Sequence, residues 1–140
     1  MGRRVGFTGT SRGMSRAQLG ALEAALRRLS GEGYDELHHG LCIGADEQCA
    51  AMAKLLGFRV VAHPGYNKRK PGDTLFRSDW AGSDETRDPK PFVARDRDIV
   101  DETERMVAAP LTGAEQARSG TWTTVRYARG LGRKVEVLAP

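Results

Sequence analysis

Five short apolar runs of strand character alternate with four segments of helical period, and this alternation leaves few folds open. Val5-Gly6-Phe7-Thr8-Gly9 reads as a buried strand, followed by the turn Gly9-Thr10-Ser11-Arg12-Gly13. Ser15 then stands where an N-cap belongs, and Leu19, Leu22, Leu26 and Leu29 recur at helical spacing until Gly31 and Gly33. Leu37 to Leu41 is a second strand, and Gly44-Ala45-Asp46-Glu47 opens a helix that runs through Leu56 to Gly57. Phe58 to His63 is a third strand, broken by Pro64-Gly65. A third helix begins near Pro91, Met106 to Pro110 is a fourth strand, Gly120 to Leu131 a fourth helix, and Lys134 to Leu138 the last strand. Strands separated by helices cannot pair as hairpins; they form a parallel sheet of about five strands with helices on both faces.

With 140 residues, 39% hydrophobic and 29% charged, the chain has enough apolar material for one core and suits a single domain over residues 1–140. No apolar run approaches the roughly 20 residues that span a bilayer, and Met1-Gly2-Arg3-Arg4 leads into a strand rather than a signal-peptide core. A cytoplasmic protein with no membrane partner is expected. The two cysteines, Cys42 and Cys49, have neither redox nor zinc spacing and read as buried thiols in a reducing compartment. A net charge of +4 favours anionic partners and suits a phosphate-bearing small molecule as well as it suits nucleic acid.

Parallel sheets bind ligands beyond the C-terminal ends of their strands, and three turns there have phosphate-binding composition. Gly9-Thr10-Ser11-Arg12 offers backbone N–H groups, hydroxyls, a helix N-terminus and a guanidinium; it reads equally as a tight turn with a cap. Gly40 to Glu47 is the second. There Asp46 and Glu47 are either dipole partners of the helix N-terminus, or Asp46 meets a ribose hydroxyl or orders the neighbouring loop. Arg118-Ser119-Gly120-Thr121-Trp122-Thr123-Thr124 is the third and the most persuasive, since it combines free N–H groups with the hydroxyls of Ser119 and Thr121. Trp122 reads as a base-stacking residue or as core.

Gly9-Thr10-Ser11, His39-Gly40 with Gly44-Ala45-Asp46, Arg95 within a helix, and Pro110 followed by Ser119-Gly120-Thr121 together resemble the SLOG superfamily over nearly the whole chain. That group includes the cytokinin-activating LOG phosphoribohydrolases and the DprA-type fold. This chain looks closest to its small, uncharacterised bacterial and phage members. The resemblance implies a Rossmann-like sheet that binds nucleotides or nucleotide-derived ligands, with Arg95 contacting phosphate or ribose. LOG enzymes carry Pro-Gly-Gly-x-Gly-Thr-x-x-Glu. Here Leu111 to Arg118 is inserted after Pro110, and Thr123 or Thr124 stands where the acidic residue belongs. Hydrolysis of an N-glycosidic bond needs such a group, so a binding, sensing or carrier role comes first. Phosphoribohydrolysis, with Arg95, Asp46 or Glu47 as stand-ins, and DprA-like single-stranded DNA binding are the alternatives. Related folds often pair through helices, so a homo-oligomer is expected.

Residues 64–90 break the alternation with prolines, glycines and charges, including Tyr66-Asn67-Lys68-Arg69-Lys70, Phe76-Arg77 and Trp80. A loop of that length serves as a base-stacking lid, a nucleic-acid contact, or a solvated loop over packed aromatics. Arg97 and Asp98 read as a solvated charge run. His38 and His39 alternate across a strand, and no spacing supports a three-histidine metal site. Neither a metal nor a bound cofactor is expected.

Overall fold

In the computed structural model, which describes residues 2–140, the alternation becomes a six-stranded sheet of order β5-β3-β2-β1-β7-β8. Its strands are β1 (Arg3–Gly9), β2 (Tyr34–His39), β3 (Arg59–Ala62), β5 (Glu85–Thr86), β7 (Arg105–Ala109) and β8 (Lys134–Val137). Every pairing in it is parallel. The helices are α1 (Arg16–Gly31), α2 (Ala45–Leu55), α3 (Phe92–Asp101) and α4 (Gly120–Gly130). The strand beyond the expected five is β5, a two-residue piece of the long loop beside β3. It is too short and too polar to carry a periodic signal. The same loop forms a small ribbon from β4 (Gly65–Tyr66) and β6 (Lys90–Pro91).

Strand alternation sorts the side chains into two layers. On one face Val5, Phe7, Leu37, Val60, Val107 and Ala109 pack against Leu22, Leu26 and Leu29 of α1 and Cys49, Ala50 and Ala53 of α2. On the other face Met106 meets Ile99 and Val100 of α3 and Ala128 of α4, while Ala108 meets Trp122 and Val125. The leucine stripe of α1 is buried because it is the only face of that helix apolar enough to cover the sheet.

The sheet is wound outward from β1 in both directions. Chain order runs through β2 and β3 on one side and β7 and β8 on the other, so β1 and β7 flank the topological switch point. Gly9 and Ala109 lie in register there, and the connections leaving them diverge to opposite faces. A crevice opens where they part.

The α1 start is more elaborate than a single cap. Ser15 Oγ accepts from the Gln18 amide at 3.1 Å, and Gln18 Oε1 accepts from the Ser15 amide at 3.0 Å. The buried Gln18 carboxamide then donates to Pro110 O at 2.8 Å and Leu138 O at 3.1 Å. One side chain thus fastens the α1 N-terminus to the ends of β7 and β8. Replacing Gln18 with Ala strands two carbonyls away from water, and urea unfolding should show a loss of about 2–3 kcal/mol.

Candidate functional site

The crevice is a cavity of about 550 Å³. Its walls bring together the first turn (Gly9, Thr10, Ser11, Arg12), Asp46 from α2, Arg95 from α3, and Arg118, Ser119, Gly120 and Thr121 at the start of α4. Three segments singled out for the same composition thus meet at one place, although more than a hundred residues separate the first from the last. Glu47, Gly44 and Trp122 do not line it.

Each absence has a physical reason. Gly44 is the α2 N-cap at φ 83°, and a Cβ there would stand 2.3 Å from Ser11 O. Its work is to let the first and second turns touch. Trp122 is buried against Ala108 and Val125 on the sheet face opposite α1, with its indole N–H unpartnered. Glu47 sits one position further round α2, half-buried, away from the cavity wall.

The α4 end of the cavity is well suited to an anion. Ser119 caps the helix, accepting from the Trp122 amide at 3.2 Å. The amides of Gly120 and Thr121 precede the first intrahelical bond and find no protein acceptor among the described residues. They carry the positive end of the helix dipole. Exposed Arg12 and Arg118 flank the mouth.

Arg95 is held differently from a surface guanidinium. It is 6% exposed, donates to Gly40 O and to His63 O (3.1 Å), and pairs with Asp96 at 2.6 Å. It reaches those carbonyls because Gly40 has no side chain; a Cβ there would lie 2.9 Å from Arg95 Nη1 and 2.8 Å from Asp46 Oδ2. Arg95 therefore ties α3 to the ends of β2 and β3 and supplies a fixed positive charge beneath the cavity.

Asp46 is buried and uses one oxygen to accept from Gly40 N (3.1 Å) and Cys42 N (3.3 Å). It orders the second turn, in which Leu41 takes the strained φ of 54°. Burial pushes its carboxyl up to about 6, against the pull of Arg95. Burial likewise raises the Cys42 thiol to about 12, with Asp46 adding to the effect. That thiol is inert at neutral pH.

Several lining residues escape a reading of the sequence by turns, among them these four. Phe76 comes from the long loop, which crosses the second turn through Ile43 N to Phe76 O and Ser78 N to Leu41 O, both 2.9 Å. Phe92 begins α3, and the two rings give the cavity an aromatic side. Gln116 comes from the inserted segment after Pro110. Asp96 also faces the cavity; burial raises its carboxyl, and the Thr124 hydroxyl lies within hydrogen-bonding reach of it. Trp80, by contrast, packs on the core and edge-on to His39 at 6.1 Å. Arg97 and Asp98 lie away from this cavity, Arg97 over the Tyr127 ring and Asp98 paired with Lys90.

All three histidines are buried. His39 meets Ser83 at 3.0 Å and takes the Leu41 amide at 3.1 Å. His38 and His63 meet each other at 2.7 Å. Burial holds His39 and His63 down to about 3, so both are neutral in the fold.

Two outcomes follow. Asp46→Ala leaves two buried N–H groups without an acceptor and should cost about 2–3 kcal/mol in urea unfolding. Asp46→Asn keeps an acceptor and sheds a buried charge, so its change should stay within about 1 kcal/mol. The unfolded chain protonates His39 and His63 near their ordinary value of 6.5 and the folded chain does not. Stability is therefore full above pH 6.5 and falls as pH drops toward 3. Asp46 opposes this between about 6 and its ordinary 3.8, because its folded form protonates first. The balance is a net loss of about 3 kcal/mol between pH 7.5 and 5, read by denaturant titration at the two pH values.

No family model matches this chain, and no curated protein matches it. Solved structures do. The molybdenum cofactor binding protein of the phototrophic bacterium Rippkaea orientalis superposes with a TM-score of 0.70 at 17% identity, over 98% of this chain and 76% of that one. The X-ray structure of a protein designated TM1055 gives 0.67 at 19% identity, over 95% of this chain and 72% of that one. The Moco carrier protein of Chlamydomonas reinhardtii gives 0.62 at 18% identity, over 99% and 76% respectively. At these identities the likeness establishes the architecture: this chain shares its Rossmann-like α/β fold with them along almost its whole length.

Proposed function

We propose that this chain is a small-molecule binding domain with a carrier, sensing or sequestering role, and that its ligand is a nucleotide or nucleotide-derived molecule bearing phosphate. One observation carries this reading. The first turn, the α4 N-terminus and Arg95 converge on a single cavity at the switch point of a parallel sheet. The phosphate is assigned to the Ser119 hydroxyl and to the unpaired amides of Gly120 and Thr121, with Thr10 and Ser11 on its other side. Arg12 and Arg118 neutralise its charge at the mouth. Arg95, committed to two carbonyls, contributes its field rather than a direct bond. A flat heterocycle fits the side formed by Phe76 and Phe92. Asp46, buried on the cavity wall, meets a hydroxyl. The volume falls in the range of small-molecule sites. Two of the similar structures, a molybdenum cofactor binding protein and a Moco carrier protein, support the carrier reading.

A second reading has Asp96 behind it. Phosphoribohydrolysis needs a carboxyl near the sugar, and Asp96 supplies one from α3 beside Thr124, one of the two positions at which the LOG pattern would carry its acid. Free base released from a nucleoside monophosphate, and its loss in Asp96→Asn, would establish this reading; binding without release would sink it.

Native mass spectrometry of protein purified from cells should find a co-purifying phosphate-bearing molecule. Calorimetry with nucleoside monophosphates and a phosphorylated pterin should then identify the class. Arg118→Glu, at an exposed position, should weaken binding at least tenfold, ~1.4 kcal/mol, without lowering the melting temperature. Absence of any adduct, together with no binding across the panel, would reject the assignment. Binding to single-stranded DNA that falls steeply with salt and is not displaced by a mononucleotide would point to an extended strand contact instead. Self-association through helix faces belongs to the same proposal and is read from the same native spectra.

A further inference from the structure

We infer that His38, His63 and Glu102 form a binding site for a divalent transition-metal ion of the zinc class, beneath α3 and separate from the ligand cavity. The three residues come from β2, from the residue just after β3, and from the C-cap of α3, and one donor atom of each lies within 4.8 Å of the others. Two imidazoles and a carboxylate are a zinc donor set. The ion's remaining position opens on a second cavity, of about 270 Å³, which His63 and Glu102 line.

Hydrogen bonding fixes which nitrogens are available. Glu36 Oε2 lies 2.7 Å from His38 Nε2, and an ionised carboxylate only accepts. His38 therefore carries its proton on Nε2 and presents the Nδ1 lone pair to His63 Nε2, 2.7 Å away. The carboxylate–imidazole–metal relay is the arrangement that orients a metal-binding histidine. Without an ion, His63 Nε2–H donates to His38 Nδ1. With one, His63 moves its proton to Nδ1, which has no protein partner among the described residues, and both lone pairs meet the cation. Nitrogens on a tetrahedral ion at about 2.0–2.1 Å stand roughly 3.3 Å apart, so the two rings part by roughly 0.6 Å.

The surrounding charges accommodate a cation. Both imidazoles are buried, and it is the neutral form of imidazole that binds metal. Arg95 touches the set through the His63 carbonyl at 3.1 Å, and Arg87 through Glu102 Oε1 at 2.8 Å. Arg87 is also paired with Glu85, and it leaves the second oxygen of Glu102 for the ion. The rest of the second cavity balances Lys90 and Arg95 against Asp88 and Asp98. The chain has three histidines and two cysteines in all, so few other places compete for zinc.

The test is a Zn²⁺ titration of the tag-free full chain by calorimetry, with the bound metal counted after dialysis and the fold of each variant checked by circular dichroism. One ion per chain is expected. Half-exposed Glu102→Gln and buried His63→Gln should each lower affinity at least tenfold. Glu36→Gln, a positioning change that leaves every ligand in place, should lower it about tenfold. Co²⁺ should give visible d–d absorption that Glu102→Gln shifts. Failure to reach one ion per chain, or an affinity unchanged in Glu102→Gln, would overturn the site. So would zinc retained in folded His63→Gln, because the ion would then lie elsewhere, for instance at Cys42. None of these outcomes depends on what the first cavity binds.

Discussion

The pairing of β1 with β7 governs the arrangement of the rest. These two strands sit side by side but lie far apart in sequence, and the chain leaves them in opposite directions. A crevice must open between the departing connections, since neither can cross the other's path. The first turn fills one lip of it, and the segment from Pro110 to Thr121 fills the other. Gln18 holds the lips in place, because its carboxamide spans from the α1 cap to the ends of β7 and β8.

A buried guanidinium does the corresponding work on the other side of β1. Arg95 cannot lose its charge, so it must be surrounded by acceptors. Gly40 and His63 offer carbonyls that the parallel ladder leaves unused where β2 and β3 end. That requirement draws α3 onto the strand ends and sets Asp96 facing the first cavity. It also brings Glu102, at the far end of the same helix, over His38 and His63. The two sites proposed above therefore share a single fixing point, with the anion cavity above Arg95 and the metal ligands behind His63.

The electrostatics of the two sites differ in kind. The first cavity is made positive by exposed arginines and an open helix end, both of which act without being buried. The second is a set of neutral imidazoles and partly shielded carboxylates, with little net charge until a cation arrives. A phosphate-bearing molecule is suited to the first and a divalent ion of the zinc class to the second, and neither site has the chemistry of the other.

The sequence by itself determined the alternation of elements, the α1 stripe with its Ser15 cap, and the composition of three turns, because these depend on residues a few positions apart. It also placed those turns at strand ends, where a parallel sheet leaves room. What it left open was decided by contacts between distant segments. The two-residue β5 exists because the edge of β3 had unused hydrogen-bonding groups, not because Glu85–Thr86 favours a strand. Trp122, next to a turn of polar residues, faces the core because the phase of α4 is set by Ala108 and Val125. The approach of His38 to His63 follows from the parallel register of β2 with β3, and that of Glu102 from the packing of α3. No local spacing encodes either, since a parallel crossover separates pairing partners by a whole helix and only the closed sheet brings them back together.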